Sequence, residues 1–217
     1  LVKFPGRDDP ADIAAIEYAY ALMARAAGVI MPDVRLIEGP DEARYFATRR
    51  FDREGDARLH VHSACGLLYS DFRLPALDYR ELIRLARAVT RDRREAIAMY
   101  RLAVFNVLAR NRDDHAKQFS FLMDRDGRWS LAPAYDLVFT DGPGGEHSTS
   151  VLGHGRDIGR ETLVRLGAEA DLDAAGARCV IDEVSAAVAD WACHAADAGV
   201  SRASRTRIAD GLAAVRV

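Results

Sequence analysis

The residues best suited to chemistry in this chain lie between Asn106 and Asp136. A short polar segment there carries Asp113, and a second carboxylate, Asp136, ends the stretch. Between the two acids, alternating apolar and polar residues around Asp126-Gly127 predict a β-hairpin. The hairpin would fold the chain back and bring both acids to one end of a sheet, where they could share a metal ion and a phosphate.

Phosphoryl transfer is the chemistry that these residue types favour. It needs a carboxylate to position or deprotonate the acceptor hydroxyl, oxygen ligands for Mg²⁺, and cations against the phosphates. Asp113 could be the base, Gln118 and Asp136 the metal ligands, and Lys3 and Lys117 the cations. Protein kinases place a metal-binding Asn five residues after the catalytic Asp, and Gln118 follows Asp113 at that same spacing.

Each of these residues also has a simpler interpretation. Lys3, in a predicted strand, precedes Glu17 in a predicted helix, and the glutamate could orient the lysine. A strand lysine is often only a surface residue, and Glu17 is by default a solvated helix position. Asp113 and Asp114 could cap or solvate a loop, and His115 could hydrogen-bond the carbonyls of that loop.

Composition narrows the class of protein. A chain of 217 residues can form one large domain or a small lobe with a larger one. Its formal charge of −3 gives no global reason to expect nucleic-acid binding. Its three cysteines have no CxxC or Cys/His ligand spacing, which favours a reducing cytoplasm over a disulfide framework or a structural zinc site. No apolar run approaches the roughly 18 to 20 residues that cross a bilayer, so we expect no membrane contact.

The elements that position the candidate residues are predicted as strands in the first quarter of the chain and mostly helices thereafter. The predicted strands cover residues 1–4, 34–37 and 43–51, with a helix from Pro10 to a stop at Gly28. The later helices are predicted over residues 79–89, 94–109, 160–167, 171–196 with a break near Gly176, and 201–215. This order indicates an α+β protein with two unequal lobes, joined by a charged link at residues 52–56.

At these residues the chain resembles the C-terminal kinase region of the HipA family of bacterial toxin kinases. The matching segments are LVKFPG (1–6), the helix around Glu17, RRFDR (49–53), FNVLARNRDDHAKQFSFL (105–122) and LAPAYDLV (131–138). The joint presence of DDHAK and PAYD at this separation is the specific part of the match.

The resemblance implies a protein-kinase-like two-lobed fold. Residues 1–56 would form a partial, strand-rich N-lobe, and residues 57–217 an otherwise all-helical C-lobe with a catalytic β-hairpin. Within the C-lobe, residues 111–118 would be the catalytic loop and residues 133–136 the metal-binding segment.

The resemblance also implies an activity and partners. The protein would be a serine/threonine protein kinase that uses ATP and Mg²⁺ and is the toxin of a toxin–antitoxin pair linked to persistence. A small HipB-like DNA-binding antitoxin would hold it and provide its only contact with DNA. The family precedent for the protein substrate is an aminoacyl-tRNA synthetase, whose phosphorylation halts translation.

Carried over by position, Asp113 corresponds to the catalytic base, Asp136 to the metal-binding acid and Gln118 to the second metal-ligand position. Lys3 corresponds to the lysine that binds the nucleotide phosphates. The whole set of nucleotide-binding candidates is Lys3, Arg50, Phe51, Asp52, His115 and Lys117, of which residues 50–52 correspond to the interlobe segment that meets adenine.

Two departures from the family pattern bear on activity. The family carries Asn where this chain has Gln118, which keeps the carbonyl ligand but adds a methylene to a site that must hold near-octahedral Mg²⁺. The family's Gly-rich phosphate loop precedes the strand lysine, and we expect it upstream of Leu1.

An alternative function is therefore a catalytically impaired, kinase-like module that binds an antitoxin or an N-terminal partner. A metal-dependent phosphohydrolase built on Asp113, Asp114 and His115 would need a second ligand cluster, which the sequence lacks.

Overall fold

The computed structural model describes residues 1–7, 9–40, 43–71 and 77–215. The described strands are β1 (Val2–Lys3), β2 (Val34–Glu38), β3 (Arg44–Thr48), β4 (Arg53–Glu54), β5 (Ala57–Arg58), β6 (His60–Ser63), β7 (Leu77–Asp78), β8 (Ser120–Met123), β9 (Trp129–Leu131) and β10 (Thr149–Ser150). The described helices are α1 (Ile13–Ala26), α2 (Ala64–Leu67), α3 (Tyr79–Thr90), α4 (Arg93–Leu108), α5 (Arg160–Gly167), α6 (Ala174–Ala189), α7 (Trp191–Asp197) and α8 (Arg202–Ala213). The segment between β2 and β3 includes residues 41 and 42, which lie outside the described residues.

The first part of the chain forms a small antiparallel sheet backed by α1. The strand order is β1-β3-β2, and Lys3 lies opposite Phe46 in the register. Helix α1 buries Ile16, Tyr20 and Met23, the positions at helical spacing, and Gly28 follows the helix with a φ of 74°. The mixed α/β character predicted from the sequence is confirmed here.

The prediction that only helices and a hairpin follow residue 56 is wrong. β8 and β9 do form an antiparallel pair, and the carboxylate of Asp124 accepts hydrogen bonds from two backbone N–H groups of the turn. However, β6 pairs antiparallel with β8 and makes a three-stranded sheet, and β7 pairs in parallel with β10. The sequence of β6, HVHS, is too short and polar for its periodicity to stand out, and its pairing depends on residues almost sixty positions away.

The helices pack around α4, which is buried over most of its circumference, as its apolar sequence predicts. Its N-cap is Asp92, whose side chain accepts the N–H of Arg94, and a capping box of Asp78 and Glu81 begins the neighbouring helix α3. The hydroxyl of Tyr100 donates to the carbonyl of Leu163, which ties α4 to α5. No helix within the described ranges is both long and apolar enough to cross a membrane.

The predicted break near Gly176 is wrong. Gly176 lies in the first turn of α6, where its N–H donates to the side chain of the N-cap Asp173 over 2.7 Å. The helix ends instead at Asp190, and α7 begins with the buried Trp191, whose indole N–H donates to the carbonyl of Arg205. A glycine in the first turn costs a helix little, whereas docking the tryptophan against α8 redirects the chain.

Candidate active site

Lys3 joins three distant segments of the chain at one point. Its Nζ donates a hydrogen bond to Oε1 of Glu17, over 2.9 Å, and another to Oδ1 of Asp136. Lys3 comes from β1, Glu17 from α1 and Asp136 from the segment that follows β9. The order predicted from the sequence, a strand lysine followed by a helical glutamate, therefore corresponds to a contact in the structure.

The pKa values of Lys3, Asp136 and Glu17 are shifted by opposing effects of burial and of their mutual contacts. Burial by itself lowers the pKa of Lys3, but the two carboxylates outweigh it and the pKa is raised, so the ammonium stays protonated. Burial raises the pKa of Asp136, yet its hydrogen bonds from Lys3 and Gln118 reverse the shift and the pKa is lowered. Burial also raises the pKa of Glu17, and there the ion pair with Lys3 only partly offsets it. Of the two carboxylates, Asp136 is therefore the more readily ionised.

Asp136 adopts a backbone conformation that few non-glycine residues adopt. Its φ is 58°, in the left-handed region, which costs on the order of 1–3 kcal/mol unless the surroundings impose it. Two contacts hold the segment: the N–H of Ala134 donates to the carbonyl of Ile30, and Gln118 Nε2 donates to Asp136 Oδ2 over 2.8 Å. Strain of this kind concentrates at functional sites, and here it turns the carboxylate toward Lys3.

The chemistry of Gln118 and Asp136 fits Mg²⁺, which prefers carboxylate and amide oxygens. In the structure both carboxylate oxygens of Asp136 already accept hydrogen bonds, one from Lys3 and one from the Gln118 amide nitrogen. Among the described residues, no group of three His, Cys, Asp or Glu side chains is placed to hold a metal ion. To bind an ion together with Asp136, Gln118 would give up this hydrogen bond and present its amide oxygen to the ion.

Asp113 lies on the loop before the short 3₁₀ turn Ala116–Gln118, with 54% of its side chain exposed. Partial burial raises its pKa, the neighbouring His115 partly offsets this, and the charges of Asp136 and Asp114 add to it. His115 Nε2 is 3.8 Å from Asp113 Oδ1. A half-exposed carboxylate with a raised pKa is suited to accept a proton from a hydroxyl.

Asp114 is fully buried and fixes this loop, a role that the sequence did not reveal. One carboxylate oxygen accepts the hydroxyl of Tyr79 over 2.7 Å and lies 2.9 Å from Nδ1 of His147. The other accepts the backbone N–H groups of Ser148 and Thr149. Two adjacent aspartates therefore have different environments, one facing solvent and one anchoring the loop to residues 147–149.

A cleft of about 500 Å³ adjoins the trio. Lys3, Glu17 and Asp136 line one part of it, and its apolar lining consists of Leu1, Ala21, Met31, Pro32, Val34, Phe46, Phe51, Val61, Ala134 and Leu137. The nucleotide candidates Arg50, Phe51 and Asp52 line it as well. Arg50 and Asp52 form a two-bond ion pair with distances of 2.8 and 2.6 Å.

His115 and Lys117 are not among the described residues that line the cleft. His115 Nδ1 accepts the N–H of Lys117, and the carbonyl of Lys117 accepts the hydroxyl of Tyr135. The structure thus places both residues in the loop between Asp113 and Gln118, and a direct contact with nucleotide stays a prediction.

The family profile of the HipA-like C-terminal domain matches residues 1–192. The chain belongs to this family. Two related proteins of Sinorhizobium fredii are named as candidate kinases, and this chain spans less than half the length of either. Y4dM is 25% identical over 190 residues, covering 79% of this chain and 46% of its own length. Y4mE is 30% identical over 156 residues, covering 64% and 34%.

Solved structures share the fold of this HipA-like domain. A Shewanella oneidensis HipA, solved with HipB and operator DNA, has a TM-score of 0.73 at 17% identity and covers 98% of this chain and 55% of its own. The Helicobacter pylori proinflammatory kinase CtkA has a TM-score of 0.55 at 12% identity and covers 96% and 90%. At these identities the likeness is one of fold.

Tyr135 is a further residue that lines the candidate site, and its side chain makes both a polar and an aromatic contact. Its hydroxyl lies 2.7 Å from Oγ of Ser120, and its ring lies 5.7 Å from that of Phe51 and lines the cleft. In the sequence, the PAYD motif at residues 133–136 indicated this position. Met31 and Val61 also line the cleft, and no motif in the sequence marks either of them.

Proposed function

We propose that this chain is the kinase domain of a HipA-type, ATP-dependent serine/threonine protein kinase that transfers the γ-phosphate of ATP to a protein hydroxyl. The observation that carries the proposal is Lys3, held between Glu17 and Asp136 beside a largely apolar cleft. Membership of the HipA-like family and the relatives named as candidate kinases support it. Residues 1–56 would serve as the partial N-lobe and residues 57–217 as the C-lobe.

The proposed roles follow from the positions of the side chains. The apolar cleft receives the adenine, with the backbone of residues 50–52 at its edge, and Lys3 binds the phosphates. Asp113 accepts the proton of the acceptor hydroxyl. Asp136 and the amide oxygen of Gln118 would hold Mg²⁺, which when bound neutralises charge on the phosphates.

We also propose the toxin role in a toxin–antitoxin pair, with a HipB-like DNA-binding antitoxin as partner. The Shewanella oneidensis HipA of similar fold was solved with HipB and operator DNA, which supports the choice of partner. The proposed substrate class is a protein with an accessible serine or threonine, with an aminoacyl-tRNA synthetase as the family precedent. This activity would belong to the bacterial cytoplasm.

Label transfer from radiolabelled ATP tests the proposed base. The product of the complete reading frame is incubated with radiolabelled ATP and Mg²⁺, and wild type is compared with Asp113→Ala. We expect label on protein with wild type and a loss of about 10²-fold or more with the variant. Asp126→Ala, in the exposed turn of the hairpin, is the matched control and should keep wild-type transfer. Equal transfer by wild type and Asp113→Ala would remove Asp113 from the role of base.

The second candidate function is the non-catalytic module, favoured by one observation. Gln118 stands at the second metal-ligand position, where the family carries Asn, and its extra methylene shifts the amide oxygen that would bind Mg²⁺. Calorimetry of this chain with ATP, with and without Mg²⁺, separates the two functions, since metal-dependent ATP binding argues against the module.

Lys3→Met should weaken ATP binding and leave adenosine binding intact, because only ATP presents phosphates to the lysine.

A further inference from the structure

A second cavity, of about 650 Å³, is lined in part by Arg112, next to Asp113, and shares no lining residue with the nucleotide cleft. Its charged and polar lining consists of Arg110, Arg112, His147, Arg156 and Asp157. Its apolar lining consists of Val107, Ile158, Ala214 and Val215. Three guanidinium groups against one lining carboxylate give this cavity a positive balance.

Two of the three arginines already have acidic partners. Arg110 Nη2 lies 2.9 Å from Oδ1 of Asp141, and Arg156 Nη2 lies 2.6 Å from Oε1 of Glu146. The side chain of Asp141 is 66% exposed and that of Glu146 is 44% exposed. Each partner carboxylate can therefore be replaced by another anion from solvent.

Arg112 differs from both. None of the ion pairs between described residues includes it, and its Nη1 donates only to a backbone carbonyl, that of Asp141, over 3.2 Å. Its Nε is buried and has no acceptor, and the same is true of the Nε of Arg110. Burial, reinforced by the charge of Arg110, lowers the pKa of Arg112. A buried N–H without an acceptor costs free energy that a bound anion would recover.

The ring of His147 is held in place at the same cavity. Its Nδ1 lies 2.9 Å from Oδ2 of the buried Asp114, which also accepts the backbone N–H groups of residues 148 and 149. One lining residue of the cavity is therefore attached to the loop that carries Asp113.

We propose that this cavity binds a phosphate monoester or phosphate ion, with Arg112 as the principal ligand and Arg110 and Arg156 as secondary ligands. Guanidinium groups pair with phosphate oxygens through two parallel N–H donors, and three of them around one cavity suit a tetrahedral dianion better than a single carboxylate. Free phosphate and a phosphorylated side chain share this chemistry. The proposal does not depend on kinase activity, because binding is measured without ATP.

Calorimetric titration of the chain with inorganic phosphate at constant ionic strength tests the site. We expect saturable binding that weakens about 10-fold or more in Arg112→Gln and less in Arg156→Gln. Arg178→Gln, whose arginine is exposed, pairs with Glu161 and lies outside the cavity, should bind as wild type does. Lys3→Met is titrated beside these variants, so that phosphate bound at the nucleotide cleft is distinguished from phosphate bound in this cavity.

A second arm titrates a short phosphoserine peptide. Tighter binding of the peptide than of phosphate indicates a phosphorylated side chain as the ligand, and equal binding indicates the free ion; both support the site. No saturable phosphate binding, or loss of binding in Lys3→Met alone, would overturn the proposal. If circular dichroism shows that Arg112→Gln does not fold, Arg156→Gln decides, and unchanged affinity in that variant counts against the site.

Discussion

The properties of the candidate site depend on the contacts of three side chains, those of Lys3, Glu17 and Asp136. Asp136 is ionised because Lys3 and Gln118 both donate to it, and its left-handed backbone directs the carboxylate toward them. Asp113, without such donors, has a raised pKa. The two acids are thereby suited to different tasks, Asp136 to holding cations and Asp113 to accepting a proton.

The raised pKa of Asp113 predicts where phosphoryl transfer fails at low pH. Below its pKa the carboxyl is protonated and cannot accept a proton, so activity should rise with pH through a value above the ordinary aspartate pKa of about 3.9. Because His115 lowers the pKa of Asp113, His115→Ala should move this acid limb to still higher pH. A pH profile of kcat/KM for both proteins measures the shift. An acid limb at or below about 3.9, or one that does not move in His115→Ala, would contradict the assignment.

At the scale of elements, the loop that carries Asp113 and Asp114 is held by a buried polar network. Asp114 receives hydrogen bonds from Tyr79 at the start of α3 and from the backbone at β10, and Asn106 Nδ2 donates to the Tyr79 hydroxyl. The loop is therefore attached to two elements that lie outside the hairpin. Both carboxylate oxygens of Asp114 have hydrogen-bond partners in this buried network, which favours one arrangement of the loop.

We predict that Asp114→Asn destabilises the protein by roughly 1–3 kcal/mol, because the asparagine amide places an NH₂ donor against the donating Tyr79 hydroxyl in a buried site. Asp126→Asn, at a turn position 69% exposed, should change the free energy of unfolding by no more than about 0.5 kcal/mol. Urea denaturation of the two variants beside wild type makes the comparison. Similar stabilities of the two variants would show that the network contributes little.

The contact of α5 with α6 depends on a glycine. A Cβ at Gly167 would lie 2.6 Å from the Cβ of Ala177, so Gly167→Ala must push the helices apart. We predict a loss of about 1–3 kcal/mol despite the better helix propensity of alanine. Adding Ala177→Gly should restore part of the loss, and thermal or urea unfolding of the four proteins in this double-mutant cycle measures the coupling. Additive effects would exclude the clash as the cause.

At the scale of the whole molecule, Asp12 connects the two ends of the described chain. It precedes α1, yet its carboxylate makes no cap there and instead accepts the N–H of Ser201, over 2.9 Å, and the hydroxyl of Ser204, over 3.0 Å. Helix α1 thereby docks against the start of α8. Because α1 also carries Glu17, this contact supports the candidate site from a distance.

The pKa of Asp12 is lowered, because the hydrogen bonds from Ser201 and Ser204 outweigh the opposing effect of burial. A carboxylate with a lowered folded-state pKa stabilises the protein above its unfolded pKa of about 3.9, and this stabilisation is lost as pH falls through the folded value. Asp12→Asn should therefore cost about 1–3 kcal/mol near pH 7, with the difference from wild type shrinking below about pH 4. Asp33→Asn, 77% exposed, is the control and should cost far less. Urea unfolding of wild type and both variants near pH 7 and below about pH 4 measures these differences. A difference between wild type and Asp12→Asn that does not change with pH would contradict the prediction.

The sequence by itself determined the local elements and the order of the chemical groups. The helical spacing of α1, the alternation on either side of Asp126-Gly127, and the spacing of Asp113, Gln118 and Asp136 all depend on residues close together in the chain. The contact of Lys3 with Glu17 also agrees with the expectation that a helical glutamate could orient the strand lysine. The roles of these residues in catalysis stay predictions.

Only the tertiary structure decided which of two adjacent aspartates is buried, that β6 joins the hairpin, and that the helix breaks at Asp190 rather than at Gly176. It also decided which way the Gln118 amide faces and that three arginines surround a second cavity. These features depend on partners far away in the chain, such as His147 for Asp114 and α8 for Trp191. Burial, pairing and charge compensation at such positions are set by the packing of the whole chain, and local spacing carries no information about them.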